Sequence, residues 1–258
     1  MLEHLVATSL GRKNRPSGGF FILGWSTLRR IHRFMRTNFY VDGYNLYYGC
    51  LKHTPYKWLD QKILLVDHIL HSQDPNAELG VIKFFTADVK AKVASQGQRA
   101  QIAQQNYHRA LEILYPDQID IIKGYYSLER ANLPVFKKPP DKSDRVAVWR
   151  LEEKQTDVNI AIEAYRDASK WLCQQLVFVT NDSDIEPSLR AIREDLGDTI
   201  RIGVVVPRRE GNHRPPSESL SKYADWVRSY ILEDELKLSQ LPEQIPTPKK
   251  PIKRPDYW

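Results

Sequence analysis

Four aspartates stand where strand-like runs end or a helix begins, and carboxylates so placed can do metal chemistry if they meet. Asp182 and Asp184 close the run "VFVTNDSDIEP" (177–187) with only Ser183 between them. Asp42 follows the aromatic run "NFYV", and Asp157 opens the helix-like "TDVNIAIEAYRDAS". Carboxylates gathered in one place repel, so they either take up protons or hold a cation. A small set of hard oxygen ligands favours Mg²⁺ or Mn²⁺, ions that keep several waters and meet substrate phosphates. Such an ion turns bound water into a nucleophile and stabilises the leaving oxygen of a phosphodiester. Each residue alone has a plainer explanation. Asp42-Gly43 with Asn45 makes a turn; Ser183 and Glu186 have the spacing of a capping box; Asp157 after Thr156, a fair N-cap, sits where a helix dipole favours an acid. The metal reading rests on all four arriving together.

The surrounding pattern says how they would. Strand-like segments ("NFYVDGYNLYYG", "LGVIKFFTA", "IDIIKGYYS", "QQLVFVT", "IRIGVVVP") alternate with segments of helical spacing, such as Leu59, Ile63, Val66 and Ile69 or Leu70. "RVAVWRLEE" reads as a short strand, and "VKAKVASQGQRAQIAQQNYHRALEILY" as a long helix with Gly97 as its weak point. "EPSLRAIREDLG" reads as a helix closed by Gly197, and "SESLSKYADWVRSYILEDEL" as one or two more. This alternation predicts an α/β fold with a parallel, doubly wound sheet and no second domain. Ligands of such sheets bind at the carboxyl ends of the strands. That rule would bring Asp42, Asp157, Asp182 and Asp184, from segments 115 and 25 residues apart, to one rim.

The net charge of +6 is misleading as a nucleic-acid signal. Residues 1–36 hold seven Lys/Arg against one acid, which accounts for the whole excess, and the rest of the 258-residue chain is balanced. This basic extension contains "GGFFILGW", far short of the roughly 20 apolar residues of a membrane span. It is followed by "RRIHRFMR" rather than a small-residue cleavage site. Met35 stands directly before the first expected strand, so residues 1–34 read either as a basic arm or as sequence upstream of a start. Residues 236–258, with five prolines and a basic cluster, read as an extended, disordered tail. Two cysteines exclude a disulfide framework or a Cys-rich zinc site, in keeping with a reducing, cytoplasmic setting. HExxH spacing, a phosphate-binding Gly-rich loop and a zinc-deaminase signature are absent. Pro187 stands where a calcium loop after "DSD" needs glycine, and the first strand lacks the D-x-D of haloacid-dehalogenase-like phosphatases.

"FYVDGYNLYY", "KQTDVNIAIEA" and "VFVTNDSDIEPSLRAIRE", in that order, resemble the three signature segments of NYN domains, relatives of PIN-domain ribonucleases. "LSKYADWVRSYI" resembles the closing helix of that domain. The resemblance spans residues 37–235 and implies a PIN-like three-layer α/β/α fold with a central, mostly parallel sheet. It also implies Mg²⁺- or Mn²⁺-dependent endoribonuclease activity. By position, Asp42 matches the first-strand metal ligand, Asn45 its polar support, and Asp157 the acid heading the middle helix. Asp182 and Asp184 match the paired acids, with Ser183 the hydroxyl between them; read from the turn itself, Asp182 is the safer ligand and Asp184 acts through water. Asn181 departs from the glycine common at that place, but no acid is lost.

RNA approaching a ring of carboxylates needs cations nearby. Lys137, Lys138, Lys142 and Arg145 in the loop before the middle helix are candidates, as are Arg208, Arg209, His213 and Arg214 after "IRIGVVVP". Tyr44, Tyr47 and Tyr48 either stack on unpaired bases or pack beneath the sheet. The long helix, with Lys90, Lys92, Arg99 and Arg109, is a lid, a surface for a second copy or regulatory protein, or simply an outer layer. The leading expectation is a metal-dependent endoribonuclease. The competing ones are a non-catalytic RNA-binding or regulatory adaptor and a small-molecule phosphohydrolase.

Overall fold

The computed structural model describes residues 35–211 and 215–258. Its centre is a seven-stranded sheet in the order β4-β3-β2-β1-β5-β6-β7. The strands are β1 (Arg36–Asp42), β2 (Glu78–Ala87), β3 (Ile119–Pro134), β4 (Arg145–Lys154), β5 (Gln175–Val179), β6 (Arg201–Val205) and β7 (Trp226–Arg228). All neighbours run parallel except β3 and β4. The expected α/β class with a mostly parallel sheet is therefore correct.

The apolar strand runs explain the layering. Side chains alternate across a strand, so β1 sends Phe39 and Val41 to one face and Tyr40 to the other. Under the first face lie a π-helical segment, Ile63–Leu70, continued by α2 (His71–Gln73), and α3 (Gln98–Leu114), through Leu64, Leu65, Ala110 and Leu111. Over the second lie α4 (Thr156–Ser169) and α5 (Glu186–Leu196), through Ile160, Ala164, Leu189 and Ile192. The result is three layers around two apolar cores. The chain steps from β1 outward through β2 and β3, then returns to the other side of β1 as β5. The reversal between β1 and β5 opens the crevice where open α/β sheets take ligands.

Several expectations change. The long helix begins only at Gln98, because Gly97, at φ +53° and ψ −131°, breaks the chain direction there. "IDIIKGYYS" and "RVAVWRLEE" extend into one antiparallel ribbon pairing Tyr125–Pro134 with Arg145–Lys154. "SESLSKYADWVRSYILEDEL" is not one or two long helices but α6 (Glu218–Ser221), strand β7 and α7 (Glu233–Leu238). The stretch resembling a closing helix thus supplies an edge strand, on which Trp226 lies against Gly203 and donates from Nε1 to Gln175 Oε1 at 3.1 Å.

Residues 236–258 are not a disordered tail. Leu236, Leu241, Ile245 and Ile252 are buried, β8 (Gln244–Ile245) pairs with β9 (Ile252–Lys253), and Trp258 packs 6.1 Å from Trp58 and 5.9 Å from Tyr107. Proline content signalled an extended backbone correctly, but the spaced apolar anchors fasten it to the first core. The basic extension, residues 1–34, and with it the choice between arm and upstream sequence, lies outside the described residues. Among the described residues no helix is long and apolar enough to cross a membrane.

Candidate functional site

Asp42 ends β1 and caps the short helix α1 (Gly43–Leu46): its Oδ1 accepts from the backbone N–H of Asn45 at 2.9 Å. The Asn45 side chain donates to Oδ2 at 2.5 Å, as does the Thr180 hydroxyl at 2.9 Å. Val41 pairs with Val179 in the sheet, which sets Thr180 beside Asp42. Thr180 Oγ1 in turn accepts from the backbone N–H of Asp182 at 3.1 Å, so one hydroxyl ties the two strand ends together. Gly43 is required here, because a Cβ would stand 2.6 Å from the Phe85 carbonyl oxygen.

Asp182, not Ser183, caps the turn before α5, accepting from the Asp184 N–H at 3.1 Å. Ser183 and Asp184 are exposed, and Glu186 faces Arg190 at 4.0 Å instead of closing a capping box. At the third corner Thr156 is the first helical residue rather than the cap. The cap position is Gln155 in the left-handed region, φ +73°. Thr156 Oγ1 donates to Glu153 Oε1 at 2.5 Å.

The acids enclose a cavity of about 300 Å³ lined by Asp42, Asn45, Glu153, Gln155, Asp157 and Asp182, among others. Asp184 is not on its wall, but its charge is felt there. Burial first, then the charges of Asp42, Asp182 and Asp184, push the Asp157 carboxyl up to about 6. The Asp42 carboxyl is also raised, by burial, against the pull of its three hydrogen bonds and with a contribution from Glu153. Glu153 is raised by burial and by the Asp157 charge, despite its bond from Thr156. These shifts share one origin: the acids are together and partly dry, and among the described residues no lysine or arginine answers them. Among the described residues no three carboxylate, histidine or cysteine side chains close onto a single point. The acids form an open cluster whose all-oxygen donors match a hydrated Mg²⁺ or Mn²⁺ rather than a softer ion.

The expected substrate cations are dispersed. Lys137, Lys138 and Arg145 sit at the tip of the β3–β4 ribbon, past Pro134, beyond roughly 34 Å of strand at about 3.4 Å per residue. There Lys137 is paired with Asp141 at 2.8 Å and Asp144 at 3.0 Å, and Arg145 donates to the Asn132 carbonyl. They do not border the acids, because the segment is a hairpin arm and not a rim loop. Arg208 donates to the Ser229 carbonyl at 2.6 Å. Arg209 comes nearer, sharing a surface hollow with Tyr48, Lys52 and His53. Arg214 and His213 lie outside the described residues. Tyr44 and Tyr48 are not packed beneath the sheet: they stand 45% and 51% exposed, ring centres 4.3 Å apart, on the wall of the acid cavity.

Glu153, Tyr126, Gln155 and Thr180 were missed in the sequence. Glu153 had a signal of sorts, three residues before Thr156 in "LEEKQTDV", and Tyr126 reaches it with a 3.4 Å hydrogen bond. Both buried cysteines, Cys50 and Cys173, are free, with thiols pushed up to about 12 by burial, and are unsuited to nucleophilic work.

No family model matches the chain. A Vibrio parahaemolyticus protein of unknown function, VPA0982, has a crystal structure alike over 79% of this chain and 95% of that one. At 14% identity and a TM-score of 0.43, that likeness is too distant to carry an argument. A curated relative is much nearer. The chain is 40% identical over 240 residues to the 6-hydroxy-3-succinoylpyridine 3-monooxygenase HspA of Pseudomonas putida (strain DSM 28022 / S16), an alignment covering 87% of this chain and 75% of that enzyme. Identity of this extent places the chain in the family of the HspA monooxygenase.

Proposed function

We propose that the chain is a metal-dependent nuclease that hydrolyses RNA phosphodiesters at the rim between β1 and β5, in the manner its resemblance to NYN domains implies. One observation supports this above the others. Acids from three distant segments meet at the crevice of a parallel sheet with no side-chain cation among them in the described residues, and burial together with the neighbouring acids drives Asp157 up to about 6. Asp42, Asp157 and Asp182 would hold a hydrated Mg²⁺ or Mn²⁺, in part through the ion's own waters, with Asp184 acting through water. The bound ion supplies Lewis acidity and an activated water. Asn45 and Thr180 keep the Asp42 carboxylate in one orientation. Glu153 sits on the cavity wall with a raised pKa, suited to exchanging a proton at its carboxylate. Tyr44 and Tyr48 offer exposed ring faces to unpaired bases.

The 40% identity to HspA favours a second reading, in which this chain too is a monooxygenase of a hydroxylated succinoylpyridine. One experiment separates the two. Purified protein is incubated with single-stranded and hairpin RNA, with Mn²⁺ or Mg²⁺ and with chelator; in parallel it receives 6-hydroxy-3-succinoylpyridine, oxygen and a reductant. The nuclease reading expects cleavage that chelator and Asp42→Asn both abolish. Loss of the pyridine in step with oxygen uptake, with RNA left intact under every metal condition, would overturn it in favour of the second reading.

A further inference from the structure

The β3–β4 ribbon leaves the sheet beside the acid cavity and carries two unlike faces. Directly paired residues share a face and alternate along the strands, so Tyr126–Glu153, Leu128–Leu151 and Arg130–Trp149 stand on one side. Tyr126 donates to Glu153, and Leu151 joins both on the cavity wall, which identifies that side as the one opening on the acids. Trp149 lies four residues out from Glu153, about 14 Å of strand, on a surface continuous with the site.

The two sides differ in charge. On the far side Glu152 takes both Arg150 and Lys154, so basic charge is answered where it stands. On the cavity side no acid follows Glu153 toward the tip, and the charges there are Arg130 and Arg145. Among the described residues Arg130 meets no acid at ion-pairing distance, and no lysine or arginine covers the Trp149 ring. Trp149 is 73% exposed, and Arg130 faces solvent as well. A lone exposed aromatic is ordinary. An open indole directly across from an unanswered guanidinium is different: together they can hold a base by its face and a phosphate by its charge. The strip also supplies what the acid cavity lacks, cations to offset the carboxylates as a polyanion approaches.

We infer that this side of the ribbon guides an unpaired RNA strand to the acids: a base stacks on Trp149, the adjoining phosphates meet Arg130 and then Arg145, and the strand runs past Leu151 into the cavity. This role rests on the RNA reading of the acid site and narrows the substrate to a single strand. In a duplex the base faces are stacked on one another, which leaves the indole nothing to hold. A second copy of the chain is the other occupant such a face could take. Charge favours the polyanion, because a symmetric contact between two copies would bring one arginine-bearing strip against another.

Binding of a fluorescein-labelled oligouridylate, unpaired along its length, and of a blunt RNA duplex is read by anisotropy in chelator across a salt series. Trp149→Ala should weaken the single strand by about tenfold, the loss of one stacked base, and leave the duplex unchanged, while Trp149→Phe restores most of the affinity. Arg130→Gln should make the fall of log affinity with log salt shallower by about 0.7, one phosphate contact, which loss of stacking does not do. Both positions are exposed, so the variants should melt with the wild type. Metal-dependent cleavage by the wild type is followed separately. If single-strand binding depends on Trp149 and Arg130 but no RNA is cut with Mg²⁺ or Mn²⁺, the guide stands and the nuclease reading falls. If the wild type cuts RNA while both variants bind it unchanged, the nuclease reading stands and the guide falls. Absence of single-strand binding by the wild type, or an equal loss on strand and duplex, would also overturn it. So would a dimer that Trp149→Ala splits with RNA binding intact, in favour of a second copy.

Discussion

The two ends of α4 carry acids in opposite circumstances. At its C-terminal end Asp167 is almost fully buried, yet it receives the Lys83 ammonium at 2.7 Å, the Tyr40 hydroxyl at 2.6 Å and the Asn38 amide at 3.0 Å, while Glu163 takes the same lysine at 2.8 Å. Burial pulls the Lys83 pKa down, but its two acidic partners outweigh that and leave it raised. At the N-terminal end the charged neighbours of Asp157 among the described residues are acids, and even the positive end of the helix dipole does not prevent its carboxyl from rising to about 6. The same residue type on the same helix is satisfied at one end and frustrated at the other. Satisfied buried charge is architecture; frustrated charge facing a cavity is what the proposed metal site rests on.

Breaking the satisfied end should give the largest effect. Asp167→Ala would leave Lys83 half-paired and strand the Tyr40 and Asn38 donors, lowering stability in urea unfolding by about 3–5 kcal/mol. Metal affinity in the surviving folded protein should not change. At the frustrated end the consequence reverses. Asp42→Asn should cost under about 2 kcal/mol of stability, yet reduce metal-dependent RNA cleavage by a hundredfold to a thousandfold, about 3–4 kcal/mol of transition-state stabilisation. If Asp42→Asn unfolded the protein as Asp167→Ala is expected to, the distinction between the two clusters would fail.

The frustrated end was legible in the sequence because strand-terminal aspartates announce themselves by position. The satisfied end was not: Lys83 and Asp167 are separated by 84 residues and meet only because α4 packs back across β2. The same holds for an aromatic cavity of about 560 Å³ beside the acid one, whose walls come from α1, β2, α3, the ribbon and the last two residues, among others. The strand at Trp226 was hidden for a related reason. Local spacing permitted a helix, but the flat surface over Gly203 and the Gln175 acceptor hold the indole, and with it the backbone, in the sheet. The C-terminal segment shows that composition is a weak guide when a few well-spaced apolar residues find a core.

The frustrated end also predicts a pH dependence of definite sign. The Asp157 carboxyl is pushed up to about 6 in the folded chain from an ordinary 3.8, so between those values the unfolded state releases its proton first. Stability contributed at this residue is therefore undiminished below pH 4, falls as pH rises through the window, and is lowest above about pH 6. Asp157→Asn should remove that loss: melting temperatures of variant and wild type coincide below pH 4 and separate above pH 6. The variant should be higher by about 2–4 °C, corresponding to about 1 kcal/mol once solvent screening at a half-buried site is allowed for. Mn²⁺ should narrow the gap by stabilising the wild type more. A gap that is constant with pH would mean Asp157 is not held among uncompensated charges.

The smallest effect tests why the frustrated end tolerates strain in its backbone as well. Gln155 caps α4 at φ +73°, a region that costs a non-glycine residue about 1–2 kcal/mol. Glycine would relieve that cost but loses about 0.5–1 kcal/mol through the freedom it adds to the unfolded chain. Gln155→Gly should thus raise stability by no more than about 1 kcal/mol, a shift of at most about 2–4 °C by calorimetry. A position where glycine is this well suited, yet glutamine stands, points to the side chain, and Gln155 lines the acid cavity. The same variant should therefore lower metal-dependent cleavage severalfold while melting no earlier than the wild type. At Asp167 stability would be lost while the folded fraction kept its site; at Gln155 cleavage should fall with no loss of stability, and a variant that gained both would return the residue to the status of an ordinary helix start.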